Sequence, residues 1–158
     1  MRHFPSVLTP AESDLLADRI EAHFASNGWG LWAVEVRDVA PFVGFVGLAP
    51  AERVLGRPCV EVGWRLGSQH WGRGYAPEGG VASLRFAFEQ LGLEEVVSFT
   101  VPDNLPSRRV MEKIGLELVE EFDHPGLPIG DPLRRHVLYA VTCDRWLALA
   151  ESGYPAVT

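Results

Sequence analysis

Between Gln69 and Glu78 the chain reads Gln-His-Trp-Gly-Arg-Gly-Tyr-Ala-Pro-Glu, and no other stretch constrains the fold as much. A β-branched, alternating run ends just before it and a run with helical spacing starts just after it, so it must turn a strand into a helix. Gly72 and Gly74 allow positive φ and leave no side chain between the main chain and a ligand. The first N–H groups of the helix beyond have no partner inside the helix and stand at the positive end of its dipole. Such a turn is a seat for an anion, well suited to a pyrophosphate. The competing reading is a glycine turn that only connects two elements.

Composition narrows the candidates. The 158 residues, 47% apolar and 22% charged, suit a single soluble domain over residues 1–158. A net charge of −7 leaves no basic stripe for phosphates, which argues against nucleic-acid binding. Acid surplus is compatible with a cationic or amine-bearing substrate, although most acidic surfaces only solubilise. Cys59 and Cys143 lie far apart in strand-like surroundings, form no CxxC and read as buried free thiols. With no apolar run near the roughly 18 residues of a membrane span and no signal peptide, the expectation is a cytoplasmic protein. No His, Cys or carboxylate pair has metal-ligand spacing, so no metal is expected.

Taken in order, Met1 to Leu8 reads as short and irregular, and Thr9-Pro10-Ala11-Glu12 as a helix start with Thr9 as N-cap and Glu12 completing a capping box. Leu15, Leu16, Ile20, His23 and Phe24 share one helical face, and Asn27-Gly28 ends the helix. Strands are expected at Leu31–Arg37, Phe42–Leu48 and Cys59–Leu66, with a loop over Pro50–Pro58 and a bulge or close approach at Gly44 and Gly47. After the turn come a helix to about Leu91, a strand at Glu95–Val101 and a short helix from Leu105 to Ile114. A strand follows at Leu116–Glu121, then a loop over His124–Pro132, a strand at His136–Thr142 and a last helix in which Trp146 and Leu147 pack down. The helical crossover makes strands three and four parallel, whereas the earlier pairs are antiparallel. The result is a mixed-sheet α/β domain without the βαβ repeat of a doubly wound nucleotide fold. A Rossmann site would also want GxGxxG with an acidic residue about 20 positions on, and a P-loop would want GK[ST]; neither is present.

Three segments together resemble one family. Gln69-x-x-Gly72-x-Gly74-Tyr75-Ala76, with Trp71 inside it, resembles the cofactor motif of the GNAT superfamily of acetyl-CoA-dependent N-acetyltransferases. Val60-Glu61-Val62-Gly63-Trp64-Arg65-Leu66 is similar to the strand before that motif in the Rim-type branch, the ribosomal-protein N-terminal acetyltransferases. Asn104 to Leu116 (NLPSRRVMEKIGL) is similar to that branch's NxxSxxVMEKxGF segment. The resemblance runs from about Leu31 to Leu116. It implies a GNAT-like, mostly antiparallel sheet with a splayed parallel pair and acetyl-CoA as co-substrate. The pyrophosphate would be bound by backbone N–H groups from His70 through Trp71, Gly72, Arg73, Gly74 and Tyr75 to Ala76. The backbone of Trp64, Arg65 and Leu66 would pair with the pantetheine arm like an added strand. Asn104 would bond the pantetheine or, as an Asx turn or N-cap, order the helix that follows. Ser107 would also touch the cofactor.

Acetyl transfer needs an amine stripped of its proton and a proton for the leaving thiolate. Where many members of the family place a tyrosine donor this chain has Met111; the resemblance assigns the role to Ser107, against the plain reading of a helix-face serine. Glu61 is the best carboxylate for the base, against a strand glutamate in a surface ion pair, and an ordered water could relay the proton to either group. Trp29, Trp32, Phe45, Trp64 and Trp71 read as core or as a pocket floor, His23 as a packed histidine and His136 as a structural partner; His124 and His136 flank the Pro-rich loop, where the resemblance places substrate-facing loops. Relatives begin with an extra strand and helix. Their absence before Thr9 leaves three readings: a short chain, a start placed too late, or an edge completed by a partner, as in a homodimer. Gly79 and Gly80, at about 1 kcal/mol each relative to Ala, point to a mobile helix start. Two functions stay open: N-acetyl transfer to an amine-bearing small molecule or protein N-terminus, and a CoA-binding regulatory module without turnover.

Overall fold

The computed structural model describes residues 8–154, so the irregular start expected for Met1 to Leu8 lies, apart from Leu8, outside the described residues. Helix α1 (Pro10–Asn27) begins as the local chemistry dictates: the Thr9 backbone N–H donates to Glu12 at 2.7 Å and Glu12 N–H donates back to Thr9 Oγ1 at 3.3 Å. Strands β1 (Leu31–Val36), β2 (Ala40–Pro50) and β3 (Val60–Leu66) form an antiparallel meander. A one-turn helix, α2 (Glu52–Leu55), closes on left-handed Gly56 inside the expected Pro50–Pro58 loop. Helix α3 (Tyr75–Glu89) carries the chain over to β4 (Glu95–Thr100), parallel to β3. Then come α4 (Leu105–Lys113), β5 (Glu117–Asp123), β6 (Arg135–Thr142) and α5 (Cys143–Glu151). The sheet order is β1-β2-β3-β4-β6-β5, so β1 and β5 are its edges among the described residues.

The two faces of the sheet differ. One face carries the main core: Leu48, Val62, Val96, Val137, Tyr139 and Val141 from strands, closed by Leu84, Ala87 and Phe88 of α3, Met111 and Ile114 of α4, and Trp146 of α5. The other holds only a small cluster of Ala51, Val97 and Leu138, bordered by Cys59, Phe99 and Phe122. Helix α1 has no buried residue; Leu15 is 54% exposed, and the helix leans on the sheet through Phe24 against Trp32, ring centroids 5.6 Å apart. Leu147, expected to pack down beside Trp146, is 47% exposed: the two neighbours on α5 project about 100° apart, and Trp146 takes the core side.

The glycines at the start of α3 correct the expectation of looseness. A Cβ on Gly79 would come within 2.9 Å of Val46 and one on Gly80 within 3.0 Å of Ile114. These glycines bring α3 down onto β2 and α4, and the packing offsets their poor helix propensity. Gly44 and Gly47 both mark close approach, since a Cβ would strike the carbonyl oxygens of Arg65 and Gly30. The irregular register of this hairpin falls beside Gly44: Val34 pairs with Gly44 but Val36 with Ala40, so β2 carries the extra residues.

Candidate active site

The chain reaches the turn through a short 3-10 segment, Ser68–His70, and Gly72 (φ 73°) and Gly74 (φ 87°) then take the left-handed conformation. Gly74 is the N-cap of α3 and no side chain caps that helix end. Among the described residues, no acceptor takes the backbone N–H groups of Gly72, Arg73, Gly74, Tyr75 and Ala76, and a Cβ built on either glycine would meet nothing within 4 Å. Consecutive free amides, an open approach and a 15-residue helix dipole behind them make a concave anion seat. The His70 Nδ1 is buried without a partner, a further polar atom at this rim awaiting one. Trp71 does not floor a pocket: it is 56% exposed and its indole donates to the Leu66 carbonyl at 2.8 Å, tying the turn to the end of β3.

Strand β3 pairs with β2 along its whole length, as far as Gly44 opposite Leu66, but with β4 only at Glu61 opposite Val97. Beyond that point β3 and β4 part. The edge of Gly63, Trp64, Arg65 and Leu66 facing β4 therefore has no strand partner, so an extended, amide-bearing arm can add to it as a strand would. The anion seat lies directly beyond the end of this edge.

Strand alternation sorts the side chains around the gap. Val62 and Trp64 point to the main core, whereas Glu61 and Arg65 point to the thinly covered face, where Arg65 Cζ lies 5.8 Å from the centroid of the Phe45 ring. Glu61 makes none of the ion pairs found among the described residues. Glu61 is half-buried by accessible surface, and desolvation pushes its carboxyl up to about 8, while the backbone N–H of Phe99 donates to it and pulls the other way. A carboxyl that titrates near neutral pH at the mouth of a gap is what a general base or acid requires.

Ser107 approaches the gap from the other face. Its Oγ accepts the Trp64 indole N–H at 3.3 Å, and its own proton finds no acceptor among the described residues. Asn104 is 9% exposed and engaged in structure: its Oδ1 caps α4 by accepting from Ser107 N–H at 3.4 Å, and its Nδ2 donates to Thr100 Oγ1 at 2.9 Å. It thus locks the first turn of α4, and with it Ser107, to the end of β4. Met111 is 1% exposed and belongs to the core.

Three features were not foreseen. The Phe99 N–H holds the Glu61 carboxyl; the period-two run of Val97 and Phe99 in EVVSFT was the available signal for the shared face. His124 and His136 meet with ring centroids 4.9 Å apart on that same face, both against Phe99, and His136 also packs against Phe122. Burial lowers the proton affinity of both imidazoles, and for His124 the neighbouring His136 adds to it. Finally, a cleft of about 390 Å³ opens between Arg65 and the first half of α1. Among the described residues no group of His, Cys, Asp and Glu is placed to hold a metal ion, and no helix is long and apolar enough to cross a membrane.

A family profile described as an acetyltransferase (GNAT) domain matches residues 1–117. The chain belongs to the GNAT acetyltransferase family. It is 35% identical over 133 residues to the FsC-acetyl coenzyme A-N(2)-transacetylase of Aspergillus fumigatus, covering 77% of this chain and 54% of that protein. The chain spans about half the length of the curated relatives it matches. Among solved structures, an acetyltransferase from Agrobacterium tumefaciens superposes with a TM-score of 0.65 at 30% identity, over 87% of this chain and 74% of the other. RimJ of Mycobacterium smegmatis, solved in complex with CoA-disulfide, shares the fold at a TM-score of 0.66 and 19% identity, over 96% of this chain and 75% of that one. The GNAT fold accounts for the sheet order, the single parallel pair and the splay, and the Rim-type branch is among its structural neighbours.

Proposed function

We propose that the protein is an N-acetyltransferase that moves the acetyl group of acetyl-CoA to a primary amine, of a small molecule or a protein N-terminus, by direct attack on the thioester. When bound, acetyl-CoA supplies the activated acyl group. The amides of Gly72 to Ala76 hold its pyrophosphate, with Arg73 adding charge, and the open edge of β3 from Gly63 to Leu66 orders its pantetheine arm. Glu61 in its ionised form accepts the proton of the acceptor ammonium at its carboxylate. Ser107, oriented by Trp64 and Asn104, presents its hydroxyl proton to the departing sulfur.

The observation that carries this reading is the coincidence at one point of the sheet: the strands part at Glu61, whose carboxyl sits at about 8. A CoA-release assay over peptide and diamine acceptors tests it. Acceptor-dependent release that falls by two or more orders of magnitude in Glu61→Gln supports it; release unaffected by that change overturns the assignment of the base. The burial of Met111 where other members carry a tyrosine donor supports the rival, a CoA-binding module without turnover. Tight acetyl-CoA binding with no release on any acceptor would decide for the rival.

A further inference from the structure

His124 and His136 belong neither to the cofactor seat nor to the proton steps, but they share a face with Glu61. The register places them there: Glu61 pairs with Val97, Val97 with Ala140, and His136 stands four residues from Ala140 on β6. It is thus level with the C-terminal end of β4, the end toward which the gap opens. Two strand spacings and four residues of rise put the Cα atoms of Glu61 and His136 roughly 16 Å apart, of which the two side chains can take up several ångström. Phe99 lies between them. Its N–H holds the Glu61 carboxyl, and its ring centroid is 6.2 Å from that of His124 and 6.1 Å from that of His136.

The backbone fixes which nitrogen of each imidazole carries the proton. Gly126 N–H donates to His124 Nδ1 at 3.1 Å, so the proton of neutral His124 is on Nε2. His136 Nδ1 lies 3.2 Å from the Arg134 carbonyl, which only accepts, so its proton is on Nδ1 and Nε2 keeps a lone pair. Neither Nε2 has a partner among the described residues. Burial lowers the proton affinity of both rings, and His136 lowers that of His124 further, so both are neutral where Glu61 is ionised. The flanking charges of Asp123, Arg134 and Arg135 are paired with one another. One donor and one acceptor therefore stand together, on rings 4.9 Å apart over a half-buried aromatic floor. The pair suits a neutral group that both accepts and donates. A carboxylate sets its lone pairs against His136, and an ammonium its protons against His124.

Resting on the acetyl-transfer reading above, we propose that His124 and His136 select acceptors that carry a secondary amide at a distance from their amine. The amide carbonyl takes the His124 Nε2–H, and the amide N–H donates to His136 Nε2. Peptides and monoacylated diamines both bear this group; polyamines and free amino acids do not.

The test compares CoA release with N-acetylcadaverine, its ester analogue aminopentyl acetate, hexylamine, spermidine and the C-terminal amide of the tripeptide Ala-Gly-Gly. N-acetylcadaverine is expected to exceed the ester by about five- to tenfold in kcat/KM, and the ester to exceed hexylamine by about as much, mostly through KM, as one hydrogen bond each allows. His136→Phe keeps a ring and removes the acceptor, so it lowers the amide to the level of the ester; His136→Gln restores part of the difference. His124→Phe lowers amide and ester together and leaves their ratio unchanged. Each ratio is taken within one protein, so a partly unfolded variant leaves it readable. The proposal holds whichever of N-acetylcadaverine and the tripeptide amide is faster, and the faster one identifies the source of the amide. Equal rates on amide and ester in the wild type, an amide-to-ester ratio that survives in His136→Phe, or spermidine outpacing N-acetylcadaverine overturns the subsite alone. Release on none of the acceptors overturns the transferase reading itself, and with it the subsite as one for an acceptor.

Discussion

The two faces of the sheet are built to different standards. Under α3 the packing is continuous, with Leu48, Val62 and Leu84 wholly buried and two helical glycines seated against Val46 and Ile114. On the other face a three-residue cluster is bordered by groups that can change charge or bind it: Glu61, Arg65, His124 and His136. In the proposed function, the parts that would recognise something common to every turnover, the amides of the turn and the open edge of β3, rest on the well-packed face. These are backbone features, and a backbone is positioned by the core beneath it. The thin face supplies side chains, on strands but with only a peripheral helix nearby, and in the proposed function it is the face that would meet the acceptor.

That division can be broken at its strong side first. Gly74→Glu is expected to weaken acetyl-CoA binding more than a hundredfold by titration calorimetry. It forces a side chain into φ 87° and puts a carboxylate where the phosphates sit. Undiminished binding would remove the turn from the cofactor site. Next in size, Glu61→Gln should lower kcat/KM by about 10²- to 10⁴-fold while acetyl-CoA affinity holds, as loss of a general base does. Ser107→Ala should cost some 10- to 100-fold in kcat, with the KM for acetyl-CoA nearly constant; a larger fall in binding than in kcat would make Ser107 a cofactor contact only. The smallest effects compare the packing itself. Leu48→Ala should destabilise by about 2–5 kcal/mol in urea unfolding and Leu16→Ala by under about 1 kcal/mol. Similar losses would mean that α1 is held as firmly as the core.

Much of this was legible before any coordinates. The capping box at Thr9 and Glu12, the glycine turn and the parallel step from β3 to β4 follow from local chemistry and connection rules, and all three are present. What was not legible depends on contacts distant in sequence. Gly79 and Gly80 read as weak helix residues because nothing near them in the chain announces Val46 and Ile114. Trp71 read as core or pocket although its indole reaches back only as far as Leu66. Glu61 stood out as a carboxylate beside the gap, but its burial depends on β4 meeting β3 at a single pair, which no periodicity encodes.

The central claim is that Glu61, at the point where the strands part, accepts the proton that acetyl transfer must remove. Its carboxyl holds a proton below about 8 and is ionised above it, so the base is present only on the alkaline side. The decisive measurement is the pH dependence of kcat/KM with an acceptor amine that is itself neutral across the range, so that only the enzyme titrates. The wild type should rise about tenfold per pH unit and level off with a midpoint near 8, and Glu61→Gln should be low and flat. A flat wild-type profile, or the same midpoint in Glu61→Gln, would contradict it.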